Sequence, residues 1–263
     1  MEENFLKDLI HKLKKHQFLF EELVKRDFKQ KYKRTVLGMG WSILSPLLTL
    51  LVLNFVFGFY FGRRIQHFTI YLFCGNLLFS YFRESTTAGM MALLSNSGIF
   101  TKVNVPKYLF LFSKNVSSLI NFGLSLCLFF LFVIADGIPI KVHFLMLLFP
   151  IACLVIFNLG IGLILSALYV FFRDINYLYN VFTMLLMYVS AIFYQITIVP
   201  AKYRMLFYLN PVYCYIEYFR KIVLNGKIPT FQFHLLCAGY AIAAFAIGCW
   251  IYKKYNHKFL YYV

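Results

Sequence analysis

Acidic residues are scarce in this 263-residue chain, 10 Asp and Glu against 26 Lys and Arg, and they are scattered rather than paired. General acid–base and metal-assisted chemistry, which work through carboxylates held close together, have few places to sit. No GxxxxGK[ST] stretch is present to cradle a nucleotide's phosphates, because Gly226-Lys227 lacks both the upstream glycine and a following hydroxyl. GxSxG and HExxH are missing as well. The six cysteines (Cys74, Cys127, Cys153, Cys214, Cys237 and Cys249) form no CxxC pair, and the six histidines show no HxxxH spacing. Five of the cysteines lie in or beside apolar runs, where a thiol packs as a small hydrophobe. These absences argue against a disulfide framework or metal site, and they predict a chain that is no enzyme and binds no cofactor of its own.

Apolar residues fill the space. The chain is 61% hydrophobic and 21% aromatic but 14% charged, with a mean hydropathy of +0.72. Soluble domains run near a quarter charged, so the excess apolar surface requires lipid to cover it. The net charge of +16 would also suit a nucleic-acid binder. That reading fails, because the basic residues crowd the first forty positions and the ends of apolar runs, where cytoplasmic loops of membrane proteins keep them.

The pattern predicts an all-α integral membrane protein with a cytoplasmic N-terminal region over residues 1–36 and a transmembrane domain over 37–263. About 20 helical residues cross a hydrocarbon core about 30 Å thick. Six runs qualify as spans, at about 38–61, 68–94, 108–135, 143–172, 175–194 and 234–252. Ahead of them, Phe5, Leu6, Leu9, Ile10 and Leu13 recur at helical steps with Lys7, Lys12, Lys14 and Lys15 between, as in an amphipathic helix lying in the membrane interface. Phe18 to Tyr32 reads as a charged cytoplasmic helix leading to the membrane. Residues 197–226 are too polar for a plain span and too apolar for a free loop, which predicts two short re-entrant helices broken at Asn210-Pro211. With a cytoplasmic N-terminus, 17 of the 26 Lys and Arg fall in inner segments against 8 in outer ones, so both termini are placed in the cytoplasm.

Arg83-Glu84 is the charged pair set deep in a span. A central charge costs about 2.5–3.5 kcal/mol on translocon scales, so the pair should face protein or a wet cavity. Two readings stay open: a conduit wall where Arg83 meets a phosphate or sugar hydroxyls, or a structural pair with a neighbouring helix or headgroup. Phe55, Phe59, Tyr60, Tyr71, Phe79 and Tyr81 in the first two spans suit either sugar stacking or packing against lipid. The short basic connector from Thr101 to Lys107 suits a docking element or a bare loop.

The entrance to the first span is more specific. Arg26-Asp27-Phe28-Lys29-Gln30-Lys31-Tyr32-Lys33-Arg34-Thr35-Val36-Leu37-Gly38, then Trp41 and Ser45-Pro46-Leu47, resembles the entry motif of ABC-2 type permeases, in the branch exporting polysaccharide (O-antigen, teichoic acid or capsule). Thr101 to Lys107, Phe172-Arg173-Asp174, Val199-Pro200, Asn210-Pro211 and Tyr218-Phe219-Arg220 resemble further family segments in the same order. The resemblance implies a homodimer with two separate ATP-binding-cassette subunits that hold the ATP and Mg. It implies export of an undecaprenyl-diphosphate-linked glycan across the bacterial cytoplasmic (inner or plasma) membrane. Coupling to the ATPase falls to Glu21, Glu22, Arg26, Asp27, Lys102, Asn104, Pro106 and Lys107. The substrate path takes Arg83, Glu84, Phe55, Phe59, Tyr60 and Tyr81, and the outer gate Pro200, Asn210, Pro211 and Arg220. Rival readings are an ABC-2 drug or lipid exporter and a membrane-embedded glycosyltransferase or lipid-processing enzyme. For the enzyme, Asp136, Asp174 and Glu217 are too isolated.

Overall fold

The computed structural model describes residues 16–62, 65–103 and 105–262, and every regular element among them is a helix. In chain order these are α1 (Gln17–Tyr32), α2 (Trp41–Phe61), α3 (Phe68–Ser95), α4 (Ser97–Phe100), α5 (Tyr108–Ala135) and α6 (Leu148–Phe171). There follow α7 (Ile175–Val189), α8 (Ala201–Phe207), α9 (Pro211–Val223), α10 (Phe231–Tyr255) and α11 (Phe259–Tyr262). A 3-10 turn at Gly38–Gly40 leads into α2, and another at Val142–Leu147 leads into α6. The proposed interface helix, with Phe5, Leu6, Leu9, Ile10 and Leu13, lies outside the described residues, as does Asn104.

Among the described residues, four helical stretches are long and apolar enough to cross a membrane: Gly38–Tyr60, Tyr108–Ala135, Val142–Phe171 and Phe231–Tyr255. Their limits follow the expected runs 38–61, 108–135, 143–172 and 234–252 closely, with α10 longer at both ends. The other two expected spans depart from the pattern for different reasons. α3 has ample length at 28 residues but carries Asn76, Ser80, Arg83, Glu84, Thr86 and Thr87. It is the hub of the bundle, packed against α2, α5, α6 and α9. A helix enclosed by other helices need not be apolar all round.

α7 stops at Val189 after 15 residues, well before the expected limit of 194. At 1.5 Å per residue it is about 22 Å long, less than the hydrocarbon core. The backbone breaks at Ser190, and Ala191 takes the left-handed conformation with φ 49°. Tertiary bonds replace the helical ones there: the Arg220 guanidinium donates to the carbonyls of Ala191 and Ile192, both at 2.9 Å.

One apolar cluster joins Leu23 of α1, Leu93 of α3, Phe100, Val105 of the connector, Tyr252 and Phe259. It gathers α1, the connector 101–107 and the C-terminal helix α11 at one end of the bundle. At the other end His67, preceding α3, meets Asp136 at the end of α5 at 2.5 Å. α6 and α10 run in close contact through small residues: a Cβ on Gly160 would lie 2.4 Å from the carbonyl carbon of Ala244. Helices in lipid gain little from hydrophobic burial against each other, so such backbone approach supplies their packing.

Candidate functional site

A cavity of about 1270 Å³ opens along α2, α3, α5 and α7 and reaches the end of α1. Each helix turns a stripe of small polar residues toward it. Ser42, Ser45 and Thr49 come from α2, Asn76, Ser80, Arg83 and Thr87 from α3, Ser118, Asn121 and Ser125 from α5, and Asn180 and Thr183 from α7. Within every stripe the steps are three or four residues, so all members share one helical face. Trp41, Phe73, Phe79, Tyr81 and Phe122 stand among the hydroxyls and amides.

Charge enters the cavity from three residues. The Glu84 carboxylate accepts from Lys31 Nζ at 2.8 Å and from Asn121 Nδ2 at 3.0 Å. Tyr32 OH in turn donates to Asn121 Oδ1 at 2.5 Å. α1 is therefore tied at its C-terminal end to α3 and α5 by polar groups that also line the cavity. The Arg83 guanidinium shares this wall, is exposed, and has no partner among the described residues. The two neighbours do not neutralise each other, as their helical offset predicts.

Of the expected path residues, Arg83, Glu84 and Tyr81 line the cavity, and so does Phe79. Phe55, Phe59 and Tyr60 do not: they stand on α2 with 86, 81 and 70% of their surface exposed, away from the polar stripe of that helix. Phe55 lies about half a turn beyond Leu53, and Phe59 and Tyr60 more than a turn beyond it, where α2 leaves the cavity wall. Tyr71 belongs to the Arg220 cluster instead.

The expected coupling residues divide into outward and inward groups. Glu21 and Glu22 are exposed on α1, held among the described residues by Gln17 and Lys25 of the same helix. Lys102 is exposed in the connector. Arg26 and Asp27 point the other way. The Asp27 carboxylate is buried, accepting from Arg26 Nη2 at 2.8 Å and from Lys114 Nζ at 2.9 Å. Arg26 also donates to Asn96 Oδ1 at 2.6 Å, binding α1 to the α3–α4 junction. Lys107, beside Pro106, donates to the Asn256 carbonyl at 2.7 Å and lies near the rings of Phe100 and Phe259. Burial lowers its ammonium pKa below the ordinary lysine value. It fastens the C-terminal segment to the connector.

The expected gate residues likewise make internal bonds. Asn210 caps α9, its Oδ1 accepting from the amides of Val212 and Tyr213 at 3.0 and 3.3 Å, and Pro211 occupies the first turn, where a missing N–H costs nothing. The Asn210 Nδ2 donates to Ser190 Oγ at 2.9 Å. Arg220 is buried and contacts Tyr71, Ala191 and Ile192, while Pro200 is exposed at the start of α8. Sequence reading missed Lys31, Tyr32, Asn121 and the hydroxyl stripes as site residues. The stripes were detectable as Ser, Thr and Asn recurring at helical steps inside apolar runs.

Several membrane-crossing helices around a wide cavity that carries polar stripes and three charged side chains describe a multi-pass membrane transport protein. Residues 19–224 match the family described as ABC-2 type transporter, and the chain belongs to that family. Its relatives match over nearly their whole length. It is 27% identical to an O-antigen export system permease protein RfbA of Klebsiella pneumoniae, over 92% of this chain and 95% of that one. A second protein of that name, from Myxococcus xanthus, is 26% identical over 95% of this chain and 97% of its own. The polysialic acid transport protein KpsM of Escherichia coli is 24% identical over 91% and 94%. The family read from the entry motif is the family found.

Proposed function

We propose that this chain is the permease subunit of an ATP-driven exporter that moves a lipid-linked polysaccharide across the bacterial cytoplasmic membrane. The cavity with a polar stripe from each of its four bordering helices carries this reading. A glycan brings many hydroxyls, each of which needs a hydrogen-bond partner once it leaves water. The stripes supply those partners, and the interspersed rings offer faces on which sugars stack. An apolar drug would leave the hydroxyls and amides of the stripes without partners. The relatives' names, O-antigen export and polysialic acid transport, point to the same cargo class.

In this reading α3 and α7 complete six spans, with both termini cytoplasmic and with α8 and α9 entering the outer leaflet without crossing it. α2 and α7 border the cavity and expose large apolar residues such as Val52, Val181 and Leu185, so a second copy of the chain closes the conduit. Two ATP-binding-cassette subunits, with their ATP and Mg, dock at the end that carries α1 and the connector. Glu21, Glu22 and Lys102 are the exposed contacts for them.

Deleting the gene tests the cargo: lipid-linked glycan should accumulate on the cytoplasmic face of the membrane. Unchanged surface glycan would contradict it. Docking has its own prediction. Lys102→Glu should weaken co-purification with the ATPase about tenfold, the size of one lost interfacial ion pair, while leaving the melting temperature unchanged. Lys107→Glu should instead destabilise the chain itself, seen as faster proteolysis after residue 255, because its amine serves Asn256.

A further inference from the structure

Lys31 and Arg83 reach one cavity wall from different helices, but their states differ. Lys31 is engaged by Glu84 at 2.8 Å, while Arg83 has no partner among the described residues. Glu84 is itself only partly buried, and its other oxygen is held by Asn121 at 3.0 Å. An ion pair this exposed is weak, worth no more than a few-fold in an equilibrium. A phosphate group is a stronger competitor, since it accepts the two-pronged hydrogen bonding of an unpaired guanidinium as well as the ammonium.

We propose that Lys31 and Arg83 form a binding site for the phosphate groups of a lipid-linked substrate, and that Glu84 is the internal anion this ligand displaces. The inference rests on the cavity being the substrate path, and adds to it a site and an exchange. The ligand's negative charge takes Lys31 and Arg83 together. Glu84, now facing a like charge, withdraws and keeps Asn121. The displaced pair is one of the polar ties between α1 and the bundle; Tyr32 with Asn121 at 2.5 Å, Arg26 with Asn96 at 2.6 Å and the deeper Asp27 with Lys114 at 2.9 Å remain. Loading the cavity therefore weakens the hold on the end of α1 nearest the membrane, leaving Tyr32 with Asn121 there, while its middle stays anchored. By that route the helix bearing the exposed Glu21 and Glu22 registers occupancy.

Trp41 lines the cavity, and the second tryptophan, Trp250, is exposed on α10, so Trp250→Phe leaves this chain one tryptophan, beside the site. The same titration of Trp250→Phe with Trp41→Phe subtracts the fluorescence of the other proteins. The full chain with its ATPase, in phosphatidylcholine nanodiscs, is titrated with undecaprenyl diphosphate, undecaprenol, inorganic pyrophosphate and phosphatidylglycerol. Undecaprenyl diphosphate should quench Trp41 saturably and undecaprenol should not. Pyrophosphate should compete if the phosphates alone carry recognition, while competition by phosphatidylglycerol would make the site one for lipid headgroups in general and overturn it as a substrate site. Glu84→Gln should bind undecaprenyl diphosphate about fivefold tighter, and Lys31→Gln about fivefold or more weaker, the scale of a partly exposed ion pair. Lys31→Arg should restore binding, which separates loss of charge from loss of fold. Equal or weaker binding by Glu84→Gln, with the native chain still binding diphosphate and still exporting glycan in cells, overturns the exchange and leaves the export reading intact. Equal quenching by undecaprenol overturns the phosphate site. Normal glycan export without this gene overturns the export reading itself.

Discussion

Arg220→Ala is expected to be the most damaging single substitution outside the α6–α10 contact, lowering the stability of the purified chain by about 4 kcal/mol. The guanidinium is buried, and no carboxylate pairs with it among the ion pairs of the described residues. It is neutralised by dipoles instead: it donates to the Tyr71 carbonyl at 3.2 and 3.3 Å, to the Tyr71 hydroxyl at 2.9 Å, and to the carbonyls of Ala191 and Ile192 at 2.9 Å each. It also stacks on the Tyr71 ring, 3.5 Å from its centroid. Alanine would take a donor from three buried carbonyls, leaving Ala191 only the long bond from the Tyr71 hydroxyl at 3.3 Å, and lost donors of this kind are worth about 1–3 kcal/mol each. Lysine should recover little, because its compact ammonium cannot span acceptors on two chain segments and has no planar face to stack. Gly75 belongs to the same cluster: a Cβ there would come within 2.8 Å of an Arg220 nitrogen and 3.1 Å of Ile192, so the approach of α3 to the 190–194 break depends on having none. Thermal unfolding in detergent reads the loss. A melting point within a degree of the native chain would show that Arg220 is not the latch of this end.

The second large effect is expected at the opposite end. Asp27→Ala should cost about 2–3 kcal/mol and detach α1 from α5. The Asp27 side chain is 2% exposed, while its partners Arg26 and Lys114 are 40 and 19% exposed. Removing a buried carboxylate leaves the cations without their counter-charge, but their partial access to water reduces the penalty below that of a fully buried pair. Ser113 Oγ, at 3.4 Å from the carboxylate, is a weak fourth member. Asp27→Asn should be milder, retaining acceptor geometry without the charge. Limited proteolysis between residues 33 and 37 measures the release of α1, and co-purification of the ATPase measures its consequence. Native-like protection in Asp27→Ala would refute the anchor.

Much of this architecture is legible in the sequence where a local signal decides it. The run 108–135 coincides with α5, because an apolar stretch that long has a single solution in lipid. Asn210-Pro211 marks a helix start through cap chemistry that acts within three residues. Arg83 and Glu84 stand out because charge inside an apolar run demands a protein or water environment.

What stays hidden is set by distant partners. α7 ends at Val189 because Arg220 takes the carbonyl of Ala191, 29 residues before it, and nothing near position 189 announces it. Asp27 and Glu22 look alike in sequence, yet one faces α5 and the other solvent, a distinction made by which side of α1 packs. Phe55, Phe59 and Tyr60 follow the cavity-lining part of α2 in sequence but leave its polar stripe, a difference that aromatic type alone does not announce. Lys31 was counted with the cytoplasmic charges, and only the fold brings it to Glu84.

A passage without a motor, carrying a lipid-linked glycan when a separate ATPase drives it, is the role proposed for this chain. Reconstitution into liposomes with the ATP-binding-cassette protein that co-purifies with it tests this directly, by counting glycan newly shielded in the lumen. Shielding should require both proteins, ATP and Mg, and should vanish when the partner's nucleotide site is disabled. Glycan translocation, or ATP turnover, by this chain alone would contradict it.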